Sequence, residues 1–517
     1  SPVSQDGIGI HPMARAAVSY IAEAMEARAD VGRERQAKLA TLKRRATDLR
    51  PVSDRLAELM PAHLSEMPVT YHVALIHAII CACDMPDLEF AEGLVLGFPA
   101  VGDIPPSGWW PSECRNAESD INSMDHAQWH DTLEASIKAE GNNFLKRPGL
   151  EACYNKTQEE VAKGLMKGPF SREELELKFG QRGFRAMRRF PVWQDDGQKV
   201  RCCDNAKASG HNTATSTFES LKCERPDFPA RVAQAFAHEA LSRNRPIPLM
   251  RAGTDDQADA YRMLPCSQPH MTVVALWNPE AEQVEYFTMG GFNFGLTSAV
   301  LQYNRLAEIF SSAAQIIFGV VNAHYFDDFC VCEPYETAKS GQNSLREMVS
   351  LLGLPFSKAK AVDVAELVVF LGVETDFINS HRGSVSMRVR PDRVQKLVGR
   401  IESIIQEGSL PSGDAASLVG KLQFTLSWPF GKTGRAGMQP LHALAASNES
   451  DASLTAGAIA ALSFFAALIP ELPPHVMNLV APTRRPTLIW SDGAWEPEQS
   501  HPGMVGFLLA TPKPEFE

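Results

Sequence analysis

Apolar positions change their spacing along this chain, and the changes divide it. Near the start Ala14, Ala17, Val18, Ile21 and Met25 recur at helical intervals, and residues 1–140 read as mainly helical. Between 141 and 250 two short extended stretches flank a turn at 195–197, which predicts a hairpin. From 251 to 380 strand-like and helical pieces alternate. The segments 273–277 and 284–288 read as a hairpin, 298–318 as a helix, and 367–373 as a strand. Residues 325–332 are apolar and aromatic around two acids. Further on, Val394, Leu397, Val398, Ile401, Ile404 and Ile405 form one helical stripe. Gly408 and Pro411 interrupt it, and Ala415, Leu418, Val419 and Leu422 begin another, which predicts a helical hairpin. Two last strands are expected near 487–495 and 504–510. That order predicts an α+β protein.

Composition adds constraints. The 517 residues are 44% hydrophobic, an ordinary globular balance for several domains. The most apolar stretch, 456–469, holds Ser463 and stops at Pro470, so it reads as a buried helix and not a membrane span. No basic-then-apolar leader opens the sequence, and an intracellular protein, nuclear or cytoplasmic, is expected with no membrane partner. Ten cysteines include the close pairs Cys81/Cys83, Cys202/Cys203 and Cys330/Cys332, none at zinc spacing; reduced thiols are expected, with neither disulfides nor zinc. A net charge of −12 does not favour nucleic acid on average. Its distribution matters more. The strongest basic cluster comprises Arg182, Arg185, Arg188, Arg189, Lys199, Arg201 and Lys207. A second charged run, 33–50, reads as a solvated helix face, and Trp109 and Trp110 either stack on bases or pack inward.

The chemistry concentrates at Tyr325-Phe326-Asp327-Asp328. Adjacent carboxylates in an apolar setting repel each other and are costly to bury; divalent metal relieves both problems. A two-metal site, with ions about 3.5–4 Å apart, needs a further carboxylate from another strand. Asp256 can supply it, with Tyr261 five positions on. Alternatively, Asp255, Asp256 and Asp259 merely cap a helix, and 325–328 is an exposed turn. Between these motifs Phe294 and Gly295 precede a helix start, where a glycine permits close backbone approach. Two other motifs fail: 431–433 lacks the earlier glycine of a phosphate loop, and His238-Glu239 lacks the second histidine of a zinc protease.

In order and wording these motifs resemble those of reverse transcriptases. Residues 256–262 are similar to the family's first catalytic motif. Residues 294–299 resemble its FGL-x-SAP motif, with Val300 where proline is usual, and 325–328 its YxDD box. Leu352-Gly353-Leu354 followed by Lys360, the Phe370-Leu371-Gly372 primer-grip strand, and Arg201 with Asp204 complete six motifs across 185–440. The wording is most similar to DIRS-type retrotransposons, in which an RNase H domain follows; Trp490-Ser491-Asp492-Gly493 resembles its first strand.

The resemblance implies a right hand: a helical N-terminal extension of unknown role (1–140), fingers (141–250), palm (251–380), thumb (385–475) and an incomplete RNase H-like α/β tail (486–517). It implies nucleotidyl transfer from dNTPs to a primer 3′-hydroxyl on an RNA or DNA template. Asp256 and Asp327 would bind two Mg²⁺ (Mn²⁺ as an alternative), assisted by Asp328. Arg201 and Lys360 would offset triphosphate charge, Tyr261 would exclude ribonucleotides, and Phe294, Gly295 and Tyr325 would line the nucleotide site. Arg188, Arg189, Lys199 and residues 370–372 would hold nucleic acid, with other retroelement proteins as further partners. Asp492 alone cannot hold two cations, so no RNA-strand cleavage is expected. An RNA-dependent RNA polymerase and a domesticated, non-catalytic RNA-binding protein are the alternatives.

Overall fold

A computed structural model describes residues 9–141, 149–180, 183–194, 199–427, 434–447, 453–480, 488–495 and 503–510. Helices and strands are mixed, as the pattern requires. The sheet that positions the acids has four antiparallel strands, in the order Asn322–Tyr325, Asp328–Pro334, Met250–Asp256, Val362–Ala365. On one face Phe329 and Val331 are buried beneath the helices Thr297–Phe318 and Tyr335–Leu351, whose Tyr303, Phe310, Leu345 and Met348 are completely enclosed; on the other Met250, Ala252, Cys330 and Cys332 pack with the helix Phe228–Ser242. The first of these helices matches the expected 298–318 and ends at Gly319, whose left-handed backbone (φ +61°) terminates it.

A second, five-stranded sheet runs Met166–Phe170, Gln283–Met289, Val274–Asn278, Met187–Gln194, Lys199–Asp204. Both expected hairpins are in it: Met187–Gln194 pairs antiparallel with Lys199–Asp204, and Val274–Asn278 with Gln283–Met289. The latter pair, expected within the palm segment 251–380, does not join the acid-bearing sheet. Its inner strand runs parallel to Met187–Gln194 and its outer strand pairs with Met166–Phe170, so a cut at residue 251 divides this sheet.

The strand expected at 367–373 is two strands, Leu367–Phe370 and Val373–Asp376, folded back at Leu371-Gly372. They continue into Ser384–Val389 and His475–Asn478. Helices Pro391–Glu407, Ser412–Ser427, Gln439–Ala446 and Ala456–Leu468 share a separate core around Leu397, Ile401, Leu418, Leu422 and Leu462. The Ala456–Leu468 helix buries one face only, for Ile459 and Phe464 are exposed. Among the described residues no helix is long and apolar enough to cross a membrane. Leu488–Trp495 and Gly503–Ala510 form a two-stranded antiparallel hairpin with Asp492 opposite Gly506.

The N-terminal region is no appendage. Helix Val31–Glu58 packs along Tyr335–Leu351, and Pro12–Glu26 packs on Phe228–Ser242. Arg35, fully buried, donates to Glu333 (2.8 and 2.9 Å), to the carbonyls of Phe318 (3.0 Å), Gly319 (2.8 Å) and Thr337 (3.0 Å), and to Ser340 Oγ (3.0 Å). Every guanidinium N–H thereby has an acceptor, the condition under which a buried charge is tolerated.

Candidate active site

Alternation along Met250–Asp256 sends neighbouring side chains to opposite faces. Asp255 turns inward, where Arg346 Nε (2.7 Å) and Gln342 Nε2 (2.9 Å) hold it. Asp256 faces the other way and pairs directly across the ladder with Asp328. Of the two adjacent acids, Asp255 is thus a structural anchor and Asp256 the one on the face of Asp328; neither caps a helix. Tyr325 pairs with Asp328, so Phe326 and Asp327 form a two-residue turn, with Phe326 in the left-handed region (φ +52°). That conformation is uncommon for a bulky residue. The Asp327 carbonyl accepts from Gln257 N–H (2.9 Å), tying the turn to the end of the Asp256 strand. Two strands and one turn therefore bring three carboxylates within electrostatic reach of one another.

Burial pushes the Asp327 carboxyl up, and Asp256 adds to this. Its own backbone N–H, Lys360 and Arg201 pull the other way. Asp328 is pushed up to about 6 by desolvation, then by Asp327 and Asp256. Asp328 lies open to solvent at the cleft mouth, which screens the effect, so the half-buried Asp327 is the better guide. The direction has a consequence for stability. A carboxyl raised on folding contributes stability below its unfolded pKa, about 3.9, and loses it as pH rises through the folded value. The site therefore opposes folding at neutral pH unless positive charge enters.

Two cations already approach. Lys360 Nζ lies 2.6 Å from Asp256 Oδ1, with its side chain 57% exposed. Its loop is anchored where Ser357 N–H meets the Asp256 carbonyl (2.8 Å). Arg201 is exposed on the Lys199–Asp204 strand and near enough to lower both Asp327 and Asp328. Among the described residues no three His, Cys, Asp or Glu side chains are preassembled as a metal cage. Mg²⁺ does not need one. It takes one or two carboxylates and completes its shell with water or phosphate, and this hard-oxygen donor set fits it.

Tyr261 stands at the rim on a short 3₁₀ turn, Ala260–Met263. Its ring is edge-on to Phe294 (5.1 Å between centroids) and to Tyr303 (5.5 Å). Burial, then Asp327, push its hydroxyl pKa up. Gly295 is needed for approach: at φ +114°, an added Cβ would overlap the Asp204 carbonyl. Asn212 clamps this junction, donating to the Gly295 carbonyl (2.9 Å) and accepting from Thr297 N–H (2.9 Å).

The basic cluster needs correction. Arg189, expected on nucleic acid, is buried 2.8 Å from both Asp204 and Glu160, and Arg262 completes a balanced quartet of two arginines and two acids. The Arg188 guanidinium is ion-paired with Glu140 and bonded to Ser136 Oγ (3.2 Å), so it too is engaged within the protein. As neighbours on the strand Met187–Gln194 they face opposite sides of the sheet. Arg188 meets Glu140 of the helix His126–Gly141, whereas Arg189 meets Glu160 of the helix Gly149–Ala162 and Asp204 of the adjoining strand. The Lys199 side chain lies outside the described residues. Of the expected cluster, Arg201 is the member brought to the acids. Arg189→Ala is accordingly expected to cost about 3–5 kcal/mol of stability, because Asp204 and Glu160 would be left uncompensated. The check is the urea midpoint; an unchanged midpoint with weaker nucleic-acid binding would restore the surface role.

The 370–372 segment is a tight turn with Leu371 at φ +50° and Gly372 at φ +82°. Phe370 and Gly372 are buried, Gly372 beneath the Arg393 guanidinium, so Leu371 is the half-open member of the turn. A cavity of about 560 Å³ runs from Tyr325 and Asp328 past this turn to Arg393 and Phe424 of the helical bundle.

Sequence reasoning missed Tyr303, Glu160 and the clamping role of Asn212. Tyr303 sits in an apolar helix and carries no local signal; Glu160 acquires meaning only through arginines 29 residues or more away.

No protein-family model matches the chain, and no curated protein matches it. Two solved structures are similar. One is the foamy viral protease-reverse transcriptase dRH in complex with double-stranded DNA, at TM-score 0.42 and 12% identity, covering 89% of this chain and 66% of that one. The other is the foamy viral protease-reverse transcriptase in complex with double-stranded DNA, at TM-score 0.44 and 12% identity, covering 89% of this chain and 78% of that one. At that distance the likeness alone fixes neither fold nor function. This chain spans just under two thirds of the first.

Proposed function

We propose that the chain is the polymerase core of a reverse transcriptase, transferring dNTPs to a primer 3′-hydroxyl on an RNA or DNA template. The observation that supports this best is the register: Asp256 opposite Asp328, with Asp327 in the adjoining turn, beside Lys360 and Arg201. In this reading the four-stranded sheet is the palm, the five-stranded sheet belongs to the fingers, and the helical bundle is the thumb. The motif wording favours a retroelement of the DIRS type, and the final hairpin, with Asp492, the start of an RNase H domain.

Asp256 and Asp327, with Asp328 beside them, would hold two Mg²⁺. When bound, the ions activate the primer hydroxyl and offset charge on the leaving pyrophosphate. Lys360 would exchange its contact with Asp256 for the triphosphate, and Arg201 would meet the same phosphates. The cavity from Asp328 to Leu371-Gly372 would seat the primer end, and Tyr261 would close the space a 2′-hydroxyl needs.

The deciding experiment is primer extension with Mg²⁺, on RNA and DNA templates, with dNTPs and NTPs in separate reactions. Incorporation of NTPs alone would indicate an RNA polymerase, and template binding without extension a non-catalytic protein. Two further outcomes are expected. Tyr261→Ala should lower the dNTP-to-NTP preference at least about tenfold; an unchanged preference would reduce Tyr261 to packing. Mg²⁺ should raise the melting temperature at pH 7.5, since it relieves carboxylates that oppose folding there. A melting temperature indifferent to Mg²⁺ in the wild type would remove the metal assignment.

A further inference from the structure

Tyr261 can exclude a sugar hydroxyl only if its ring cannot yield. Two rings hold it. Phe294, edge-on at 5.1 Å, is 36% exposed, with the buried Arg262 guanidinium 5.0 Å from its centroid on the inner side. Tyr303, edge-on at 5.5 Å and 89°, has no exposed surface at all. It projects from the Thr297–Phe318 helix into the main core, so its ring has nowhere to go. The exposed ring can move with solvent, whereas the enclosed one is a fixed stop. Edge-to-face contact also fixes an angle, which an aliphatic neighbour of equal volume does not.

The Tyr303 hydroxyl adds a second point. It is buried and has no hydrogen-bond partner among the described residues, which is unfavourable for folding. The residue's fit to this place therefore lies in its ring.

We propose that Tyr303 is a specificity-determining positioning residue: from behind, its ring fixes Tyr261 in the pose that closes the sugar pocket. This rests on the nucleotidyl-transfer reading. Without the ring, Tyr261 can tip into the vacated space and admit a 2′-hydroxyl, although Tyr261 itself is intact. The effect acts on binding of the sugar more than on the acids, so it enters through KM.

The test measures kcat and KM for single dNTP and NTP incorporation in the wild type, Tyr303→Met and Tyr303→Phe, each checked for a cooperative thermal transition; Tyr303→Leu replaces the Met variant if that one does not fold. Tyr303→Met should lower the dNTP-to-NTP ratio of kcat/KM about tenfold, mainly through KM. Tyr303→Phe should restore the ratio to within about twofold of wild type. In a Tyr261→Ala background Tyr303→Met should change the ratio no further, because the ring it supports is gone. Equal loss with both sugars, or an additive effect on Tyr261→Ala, overturns the proposal and leaves Tyr303 a packing residue. Failure of Tyr303→Phe to restore the ratio overturns the role of the ring. A wild-type protein that extends no primer with either sugar refutes the polymerase reading itself, and this inference with it.

Discussion

Asp327→Asn is expected to abolish primer extension, by at least about a thousandfold, while the protein remains folded. Asp327 is the acid that the turn sets beside the Asp256–Asp328 pair, and burial already pushes its carboxyl up. The amide keeps the shape, loses the negative charge that would bind metal, and relieves repulsion within the cluster. The folded variant should therefore melt at or above the wild-type temperature without Mg²⁺ and gain less from adding it. Extension at a wild-type rate by folded Asp327→Asn protein would sink the active-site assignment.

The second large effect is structural. Arg35→Ala should destabilise the protein by about 3–5 kcal/mol, because it strands Glu333, which is completely buried, and frees the carbonyls of Phe318 and Gly319. Replacing both partners, Arg35→Met with Glu333→Leu, should recover much of the loss, since no buried charge then lacks a counter-charge. Chemical denaturation of the three variants and the wild type checks this. If Arg35→Ala melts like the wild type, the N-terminal helix is not locked to the sheet.

The two cases differ in how much the sequence disclosed. Strand alternation, the helical stripes from Val394 onward and the turn at 326–327 depend on near neighbours, and they are found where the pattern expects them. The meeting of Asp256 with Asp328 was legible because each sits in a motif with local wording. Asp255 was ambiguous until the strand's direction fixed which face it takes. Arg189 and Arg188 misled because a run of basic residues looks alike on a surface or beside buried acids; Glu140, Glu160 and Asp204 decide between them, and they arrive from other elements. Arg35 stood in a charged stretch that reads as solvated helix, and its partner is 298 residues away. The hairpin at 274–289 was recognised as a hairpin, but which sheet it joins depends on pairing with residues 87 positions upstream, Met187 with Val274.

The Arg35–Glu333 separation also sets a timetable. The helix carrying Arg35 leaves the ribosome 298 residues before its counter-ion. At common translation rates that interval is on the order of 15–60 s, during which a helix built to enclose a charge has nothing to enclose it with. The contact cannot close before Glu333 has been made, however early the helix itself forms. A practical corollary concerns truncation. A polypeptide begun after residue 58 would carry every residue of the acid site, yet would leave Glu333 without its counter-charge inside its own core. Recombinant fragments trimmed to the motif-bearing region should thus be recovered mainly as aggregate, and co-expression of residues 9–58 as a separate peptide is the remedy the contact suggests.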